Sequence, residues 1–342
     1  MIARVAALPR EIRQYLLVTG NYWAFTLTDG ALRMLVVLYF YGRWYSAVVV
    51  ALLFLLYLFF GVVTNLVGGW LGARLGLNHT MNLGLGLQVV ALAMLLVPVA
   101  WLSVPWVMAA QALSGIAKDL NKMSAKSAIK TLVPQGTEGH EALYRWVALL
   151  TGSKNALKGV GFFLGGLLLT LIGFQGAILA MAVMLAGVLA LSLARLDGDL
   201  GRAKAKPKFR EMLSKSRAIN ILSAARMCLF GARDVWFVVA LPVFLATRFE
   251  WDSWQVGGFL ALWVIGYGAV QAVAPRITGG TAGRGAAIAW AAALTALPAL
   301  IALGLEGKPL EVQPQVVLLG GLMLFGAVFA VNSSLHSFLI VR

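Results

Sequence analysis

Ten apolar segments, each long enough to cross a lipid bilayer, restrict the fold of this chain more than any other feature. A helix that crosses about 30 Å of hydrocarbon needs roughly 20 mostly apolar residues. The segments lie near residues 15–40, 46–72, 80–100, 103–126, 143–168, 174–195, 218–246, 254–275, 285–305 and 315–340. Because exposed backbone polar groups are not tolerated in lipid, this pattern predicts an all-helical membrane protein.

The composition excludes the main alternatives to a membrane protein. Of the 342 residues, 61% are hydrophobic and 12% are charged, whereas soluble domains carry about 25% charged residues. A disordered chain needs the opposite bias. The single cysteine excludes a disulfide framework. Neither a metal site nor a cofactor is predicted, because the three histidines lie far apart in the sequence.

The distribution of basic residues predicts how the chain is oriented. Its 28 lysines and arginines exceed its 13 acidic residues and give a formal net charge of +15. Cytoplasmic loops of membrane proteins accumulate such residues. With the N-terminus inside, 18 cations lie on the cytoplasmic side and three lie outside, namely Arg43, Arg248 and Lys308. Both termini are therefore predicted to be cytoplasmic, and the excess charge requires no nucleic acid partner.

A basic stretch divides the predicted spans into six and four. The sequence predicts an N-terminal six-helix half at 1–196, a basic cytoplasmic linker at 197–217 and a C-terminal half of four helices at 218–342. The first and seventh spans also resemble each other. Asp29 and Arg33 lie within one of them, and Arg233 and Asp234 lie within the other. This similarity indicates two related halves, with a binding site between them near the membrane midplane.

Ten charged residues fall within the predicted spans, where each costs at least ~2.5–3.5 kcal/mol near the bilayer centre. Seven of them are cations: Arg33, Lys118, Lys122, Lys154, Lys158, Arg226 and Arg233. Three are carboxylates: Asp29, Asp119 and Asp234. Seven cations against three carboxylates leave a net charge of +4. The sequence therefore predicts a central, hydrated cavity that binds an anion.

The spacing of the lysines supports this cavity. Lys118, Lys122, Lys126 and Lys130 form one stripe on the fourth predicted helix, and Lys154 and Lys158 repeat the four-residue spacing on the fifth. In a soluble protein such a stripe is a solvated face, but inside a membrane only a cavity supplies water. Arg33 and Lys122 lie nearer the ends of their spans and have an alternative, in which their side chains extend to the membrane surface.

Roles for these residues follow from their chemistry. The anion-binding set is predicted to be Arg33, Lys118, Lys154, Lys158, Arg226 and Arg233. Arginine suits bidentate contact with an oxyanion, and lysine acts as a point charge. The carboxylates Asp29, Asp119 and Asp234 are predicted to be counter-ions or proton carriers. A separate pattern of small residues, Gly161 to Gly166 in the fifth span, predicts close helix packing.

The segment 69–78, GWLGARLGLN, resembles the loop signature G-x-L-x-D-R-x-G-R-R of the major facilitator superfamily. Gly69, Arg74 and Gly76 match, and this resemblance implies that they form a gating loop. Ala73 replaces the usual acid. The resemblance also implies a helical bundle of the major facilitator type. That superfamily has twelve spans, so the second half is expected to lack its last two.

Four longer stretches, residues 14–33, 114–130, 152–166 and 231–243, resemble the organoarsenical efflux permeases of that superfamily. This resemblance implies export of 1-arseno-3-phosphoglycerate, which forms when glyceraldehyde-3-phosphate dehydrogenase uses arsenate in place of phosphate. It thereby implies arsenate resistance, a location in a bacterial inner membrane and a functional link to that dehydrogenase. The substrate is a multiply charged anion, which suits the net charge of +4. A monomer is expected.

Three other functions compete with the export of this arsenical. An exporter or exchanger of another phosphorylated metabolite or drug has the same composition, so it stays open. An intramembrane enzyme is not predicted, because no Ser/His or His/Asp constellation lies at usable spacing. A receptor or scaffold would not need seven cations within its spans.

Overall fold

The computed structural model describes residues 9–43, 45–132, 137–196, 217, 220–221, 224, 236–277, 284–306 and 313–341. Within these residues the chain forms α-helices and no strand, which confirms the predicted all-helical class. Ten α-helices lie in this described part of the chain: α1 Arg10–Gly42, α2 Ala47–Leu53, α3 Leu55–Leu75, α4 Leu77–Met94, α5 Val104–Leu132, α6 Thr137–Arg195, α7 Leu241–Arg248, α8 Ser253–Ile277, α9 Arg284–Glu306 and α10 Pro314–Val341.

Six helical stretches in the described part of the chain are long and apolar enough to cross a membrane. They are Ile12–Gly42, Ala47–Asn65, Ser153–Arg195, Ser253–Gln271, Ile288–Leu305 and Pro314–Leu335. The predicted third and fourth spans form helices α4 and α5 but do not meet this standard, and α5 is more polar because it carries the lysine stripe. The predicted seventh span and the linker lie mostly outside the described residues.

The long helix α6 reverses direction at Gly173 and contains the predicted fifth and sixth spans. Gly173 has φ 68° and ψ −179°, which is not a helical conformation. Ser153, before the reversal, hydrogen-bonds with Trp23 of α1 (2.7 Å). Ser192, on the far side of it, hydrogen-bonds with Asn21 of the same helix (2.8 Å). Both arms of α6 therefore meet one part of α1, and the two arms are antiparallel.

Replacing Gly173 with alanine is expected to lower the free energy of unfolding by about 1–3 kcal/mol, because this backbone region is essentially restricted to glycine. The readout is the midpoint of thermal unfolding of the purified protein in detergent. Gly187→Ala is the matched control, since Gly187 lies on the same helix and a Cβ there meets no atom within 4 Å. Equal midpoints for the two variants would contradict the strained turn.

Close packing of α6 against two helices confirms the interpretation of its small residues. A Cβ at Gly161 would lie 2.5 Å from the carbonyl oxygen of Leu27 on α1. On another side of α6, a Cβ at Gly166 would lie 2.2 Å from the carbonyl oxygen of Ser253 on α8. A side chain at either glycine would collide with the neighbouring backbone. The first arm of α6 thus joins α1 to α8.

Candidate functional site

The two lysines of α6 lie on the side of that helix between its two neighbours. Successive residues of an α-helix are rotated by about 100°. Ser153 hydrogen-bonds with α1, and Asn155 donates a hydrogen bond to a side-chain oxygen of α8 (3.1 Å). Lys154 lies between these two directions, and Lys158, one turn further along, lies in the same sector. Both lysines therefore lie toward the seam between α1 and α8.

The opposite side of α6 is the exposed one. Ala156 and Val160 are exposed there. Lys158 is only partly exposed, and its ammonium lies 5.4 Å from the centroid of the buried Phe162 ring. A Cβ at Gly30 of α1 would lie 2.9 Å from the carbonyl oxygen of Lys158, so this lysine is at the level of the residue that follows Asp29. Both lysines therefore lie away from the exposed side of α6.

A buried ion pair lies on α1 at the same level. Asp29 and Arg33 form a salt bridge of 3.6 Å, and their side chains are 8% and 7% exposed. The Tyr57 hydroxyl on α3 donates a hydrogen bond to Asp29 Oδ1 (2.8 Å) and accepts one from the Arg33 guanidinium. The alternative in which Arg33 extends to the membrane surface is therefore wrong, because its charge is held inside the bundle by these partners.

A second charged group lies on α5, where one carboxylate contacts two lysines. Asp119 Oδ2 lies 3.4 Å from Lys118 Nζ, and Asp119 Oδ1 lies 3.3 Å from Lys122 Nζ. Asp119 has a side-chain exposure of 5%, whereas the lysines are 26% and 30% exposed. Gly61 of α3 makes room for this group, since a Cβ there would lie 3.0 Å from Asp119 Oδ2. One negative charge thus faces two positive charges.

The ring of Tyr57 connects the two charged groups. The Arg33 guanidinium lies 4.4 Å from the ring centroid, and Lys118 Nζ lies 4.3 Å from it. Tyr57 is fully buried, and α5 approaches it closely because Gly115 has no side chain. Tyr57 was not predicted from the sequence, since a tyrosine within an apolar run is usually an ordinary core residue. Its position opposite two intramembrane cations could have been found only from the packing of α3 on α1 and α5.

We use the term cation cluster for Arg33, Lys118, Lys122, Lys154 and Lys158 together with Asp29 and Asp119. These residues belong to α1, α5 and α6, and the Tyr57 ring contacts the first two of these helices. The other predicted site residues, Arg226, Arg233 and Asp234, lie outside the described residues. Among the described residues of the cluster, Asp29 pairs with Arg33, whereas Asp119 is shared by two lysines.

The predicted gating loop lies at the junction of α3 and α4. Gly69 is within α3, and the Arg74 guanidinium lies 4.4 Å from the centroid of the Trp70 ring. Gly76 has φ 94° and ψ 149°, and its amide donates a hydrogen bond to Gly72 (2.9 Å). The positive φ at Gly76 lets α3 end and α4 begin with only this one residue between them.

No group of three or more potential metal ligands was found among the described residues. The cation cluster itself carries only two carboxylates and no thiol or imidazole, so its chemistry suits an anion rather than a metal ion. Arginine forms paired hydrogen bonds with phosphate-like groups, and lysine contributes a compact charge.

Comparison with known proteins agrees with a transporter bundle. The family described as the Major Facilitator Superfamily matches residues 15–341. The solved nucleoside transporter NupG is similar in fold, with a TM-score of 0.70 and 13% identity over 97% of this chain and 82% of that chain. No curated protein matches this chain.

Two further solved structures resemble this chain in fold. A POT family transporter in complex with a thioalcohol conjugated peptide has a TM-score of 0.68 and 14% identity, over 94% of this chain and 81% of that chain. A D-xylose-proton symporter has a TM-score of 0.61 and 13% identity, over 95% and 80% respectively.

Proposed function

We propose that this chain, which belongs to the Major Facilitator Superfamily, exports an organic anion, 1-arseno-3-phosphoglycerate, and so confers arsenate resistance. The observation that carries the proposal is the cation cluster, in which the single carboxylate of Asp119 faces both Lys118 and Lys122. Excess positive charge among membrane-spanning helices is costly unless a ligand or water compensates it. A multiply charged oxyanion is the ligand that compensates it best.

The arsenical identity comes from the four stretches that resemble organoarsenical permeases, and three of them supply the cluster. Residues 14–33 contain the Asp29–Arg33 pair, residues 114–130 contain the lysines around Asp119, and residues 152–166 contain the two lysines of α6. A substrate with a phosphate and an arsenate ester presents two oxyanions at opposite ends. The guanidinium on α1 and the ammoniums on α5 and α6 offer separate partners for them.

The carboxylates stabilise these cations before substrate binds. Asp29 pairs with Arg33, and Asp119 is shared by Lys118 and Lys122. An incoming oxyanion replaces part of these contacts. The halves then rock about the seam between α6 and α8, where glycines allow the backbones to touch. Lys154 and Lys158 lie beside that seam and change their surroundings as it moves.

The membrane potential is sufficient to drive this export. With both termini in the cytoplasm, the substrate moves from a negative to a positive compartment. Each negative charge gains about 2.3 kcal/mol per 100 mV. Proton antiport through Asp29 or Asp119 is therefore not required by the energetics, and the expected transport is electrogenic.

Everted membrane vesicles test the proposal. They receive arsenate and glyceraldehyde 3-phosphate together with the dehydrogenase and NAD, and accumulated arsenic is measured with the pH gradient and the potential imposed separately. We expect uptake that follows the potential. Absence of uptake under either gradient would overturn the arsenical substrate, and uptake of a phosphorylated metabolite without arsenate would assign the transporter to that substrate instead.

Two substitutions of Tyr57 distinguish the role of its hydroxyl from the role of its ring. Tyr57→Phe keeps the ring that faces Arg33 and Lys118 but removes the hydroxyl shared by Asp29 and Arg33. We expect the apparent KM for substrate to rise by about tenfold, which corresponds to one charge-assisted hydrogen bond. Tyr57→Leu removes the ring as well and is expected to raise KM further. Equal KM values for both variants and the parent would contradict a role for Tyr57 in positioning the cations.

A further inference from the structure

A cavity of about 490 Å³ lies at the C-terminal end of α1. It is lined by aromatic residues, by Arg43 and by the turn that precedes α5: Tyr39, Phe40, Gly42, Arg43, Tyr45, Val99 and Leu102. Phe40 packs edge-on against Tyr39 (5.3 Å between ring centroids) and Tyr45 (5.7 Å). The Arg43 guanidinium lies 5.1 Å from the centroid of the Tyr39 ring. The cavity therefore combines one cation with a lining of packed aromatic rings.

A second cavity, of about 430 Å³, lies at the C-terminal end of α7. Like the first cavity it has one arginine, aromatic rings (here two rather than three) and residues near the beginning of a later helix: Phe244, Arg248, Phe249, Gln313, Pro314 and Gln315. Phe244 and Phe249 pack edge-on with 5.6 Å between their ring centroids. The second cavity thus has the same three components as the first.

The two cavities lie at equivalent positions in the sequences of the two predicted halves. Arg43 follows Asp29 by 14 residues, and Arg248 follows Asp234 by the same 14 residues. An aromatic residue, Tyr39 or Phe244, precedes each arginine by four positions. Each cavity is completed by the connection between the third and fourth spans of its predicted half. One such cavity would be an ordinary surface feature, whereas its repetition at a fixed offset indicates a property that both halves retain.

The chemistry of both arginines suits an anion. Among the described residues, neither Arg43 nor Arg248 has a carboxylate within 4 Å. Each arginine lies where an apolar helix ends, the level at which aromatic side chains gather at membrane surfaces. Guanidinium groups bind phosphate with paired hydrogen bonds. We propose that each cavity binds one phosphate group at the membrane surface, supplied by a lipid headgroup or by a soluble phosphate ester.

The two cavities are expected to differ in affinity. Arg248 is followed in its loop by Glu250 and Asp252, whereas the residues after Arg43 are Trp44, Tyr45 and Ser46, which carry no charge. Nearby carboxylates weaken the attraction for phosphate. The cavity at Arg43 therefore binds phosphate more tightly than the cavity at Arg248.

Native mass spectrometry of the full chain in detergent tests this proposal. The probe is dioctanoyl phosphatidylglycerol, and the measurement is the number of lipids retained and their apparent dissociation constants. We expect two lipids on the parent protein and one on Arg43→Gln or Arg248→Gln, with about tenfold weaker binding at the altered cavity. Arg13→Gln is the matched control, because it removes the same charge at the other end of α1.

Titration with glycerol 3-phosphate distinguishes the source of the phosphate. Loss of retained lipid in the arginine variants, with no competition by glycerol 3-phosphate, assigns the cavities to headgroups. If glycerol 3-phosphate displaces the lipid from the parent protein at concentrations well below those needed with the Arg43→Gln, Arg248→Gln double variant, the cavities are assigned to soluble esters. Arg43→Lys keeps the charge and is expected to bind with intermediate strength, which separates lost binding from lost folding. Equal retention by the parent and the Arg43→Gln, Arg248→Gln double variant would overturn the proposal.

Discussion

Replacing both Lys154 and Lys158 with glutamine is expected to reduce anion uptake into everted vesicles by at least about 100-fold. Both residues lie in the sector of α6 between α1 and α8, and each is expected to contribute a charge-assisted contact of about 1.5–3 kcal/mol to an oxyanion. A loss of two such contacts corresponds to this factor. Initial rates over a range of substrate concentrations are the measurement, and the main effect is expected on KM.

The control for this pair is Arg195→Gln at the end of the same helix. Arg195 is exposed, and it contributes its carbonyl oxygen rather than its guanidinium to the hydrogen bond from Gln14. We expect the control to transport at the rate of the parent. Uptake by the double lysine variant that matches this control would remove the α6 lysines from the site and leave only α1 and α5 to bind substrate.

Replacing Gly166 with alanine is expected to impair the seam between α6 and α8 more than any other single methyl group added there. The new Cβ would lie 2.2 Å from the carbonyl oxygen of Ser253 and 2.9 Å from its carbonyl carbon. Backbone atoms cannot move aside as a flexible side chain does, so the helices must separate, at a cost of about 1–3 kcal/mol. The midpoint of thermal unfolding and the rate of uptake are both expected to fall.

Gly187→Ala again provides the reference, because it adds the same methyl group to the same helix where no atom lies within 4 Å. The reference variant is expected to be as stable as the parent or slightly more stable, since alanine favours the helix. Unchanged unfolding and uptake in Gly166→Ala would mean that α6 and α8 are not in contact in the working protein.

Helical class and intramembrane charges could be predicted because both depend on local sequence. Apolar length alone identifies helices such as α1 and α10, and the cost of burying charge marks Arg33 and Lys118 as unusual wherever they pack. The small residues of α6 were also predictable as contacts. Their partners on α1 and α8 were not, because the identity of a neighbouring helix depends on the tertiary arrangement.

Two features of the site required the three-dimensional structure. Tyr57 lies in an apolar segment and gains its role only because α3 places its ring between Arg33 and Lys118. Asp119 could have been assigned to any nearby cation, and the helical spacing alone does not say that it contacts both Lys118 and Lys122. Side-chain rotamers and helix rotation decide such contacts, and neither is encoded in residue spacing.

The reversal of α6 at a single residue has a mechanical consequence. Only Gly173 separates the arm that contacts α8 from the arm whose Gln175 donates hydrogen bonds to the carbonyl oxygens of Leu95 and Val97 (3.4 and 3.1 Å). Because the connection is a single residue, a displacement of α8 at this end is transmitted directly to the end of α4. Lengthening the connection with a few glycines would uncouple the two arms. The length of this connection thereby sets how far one side of the bundle can move without the other.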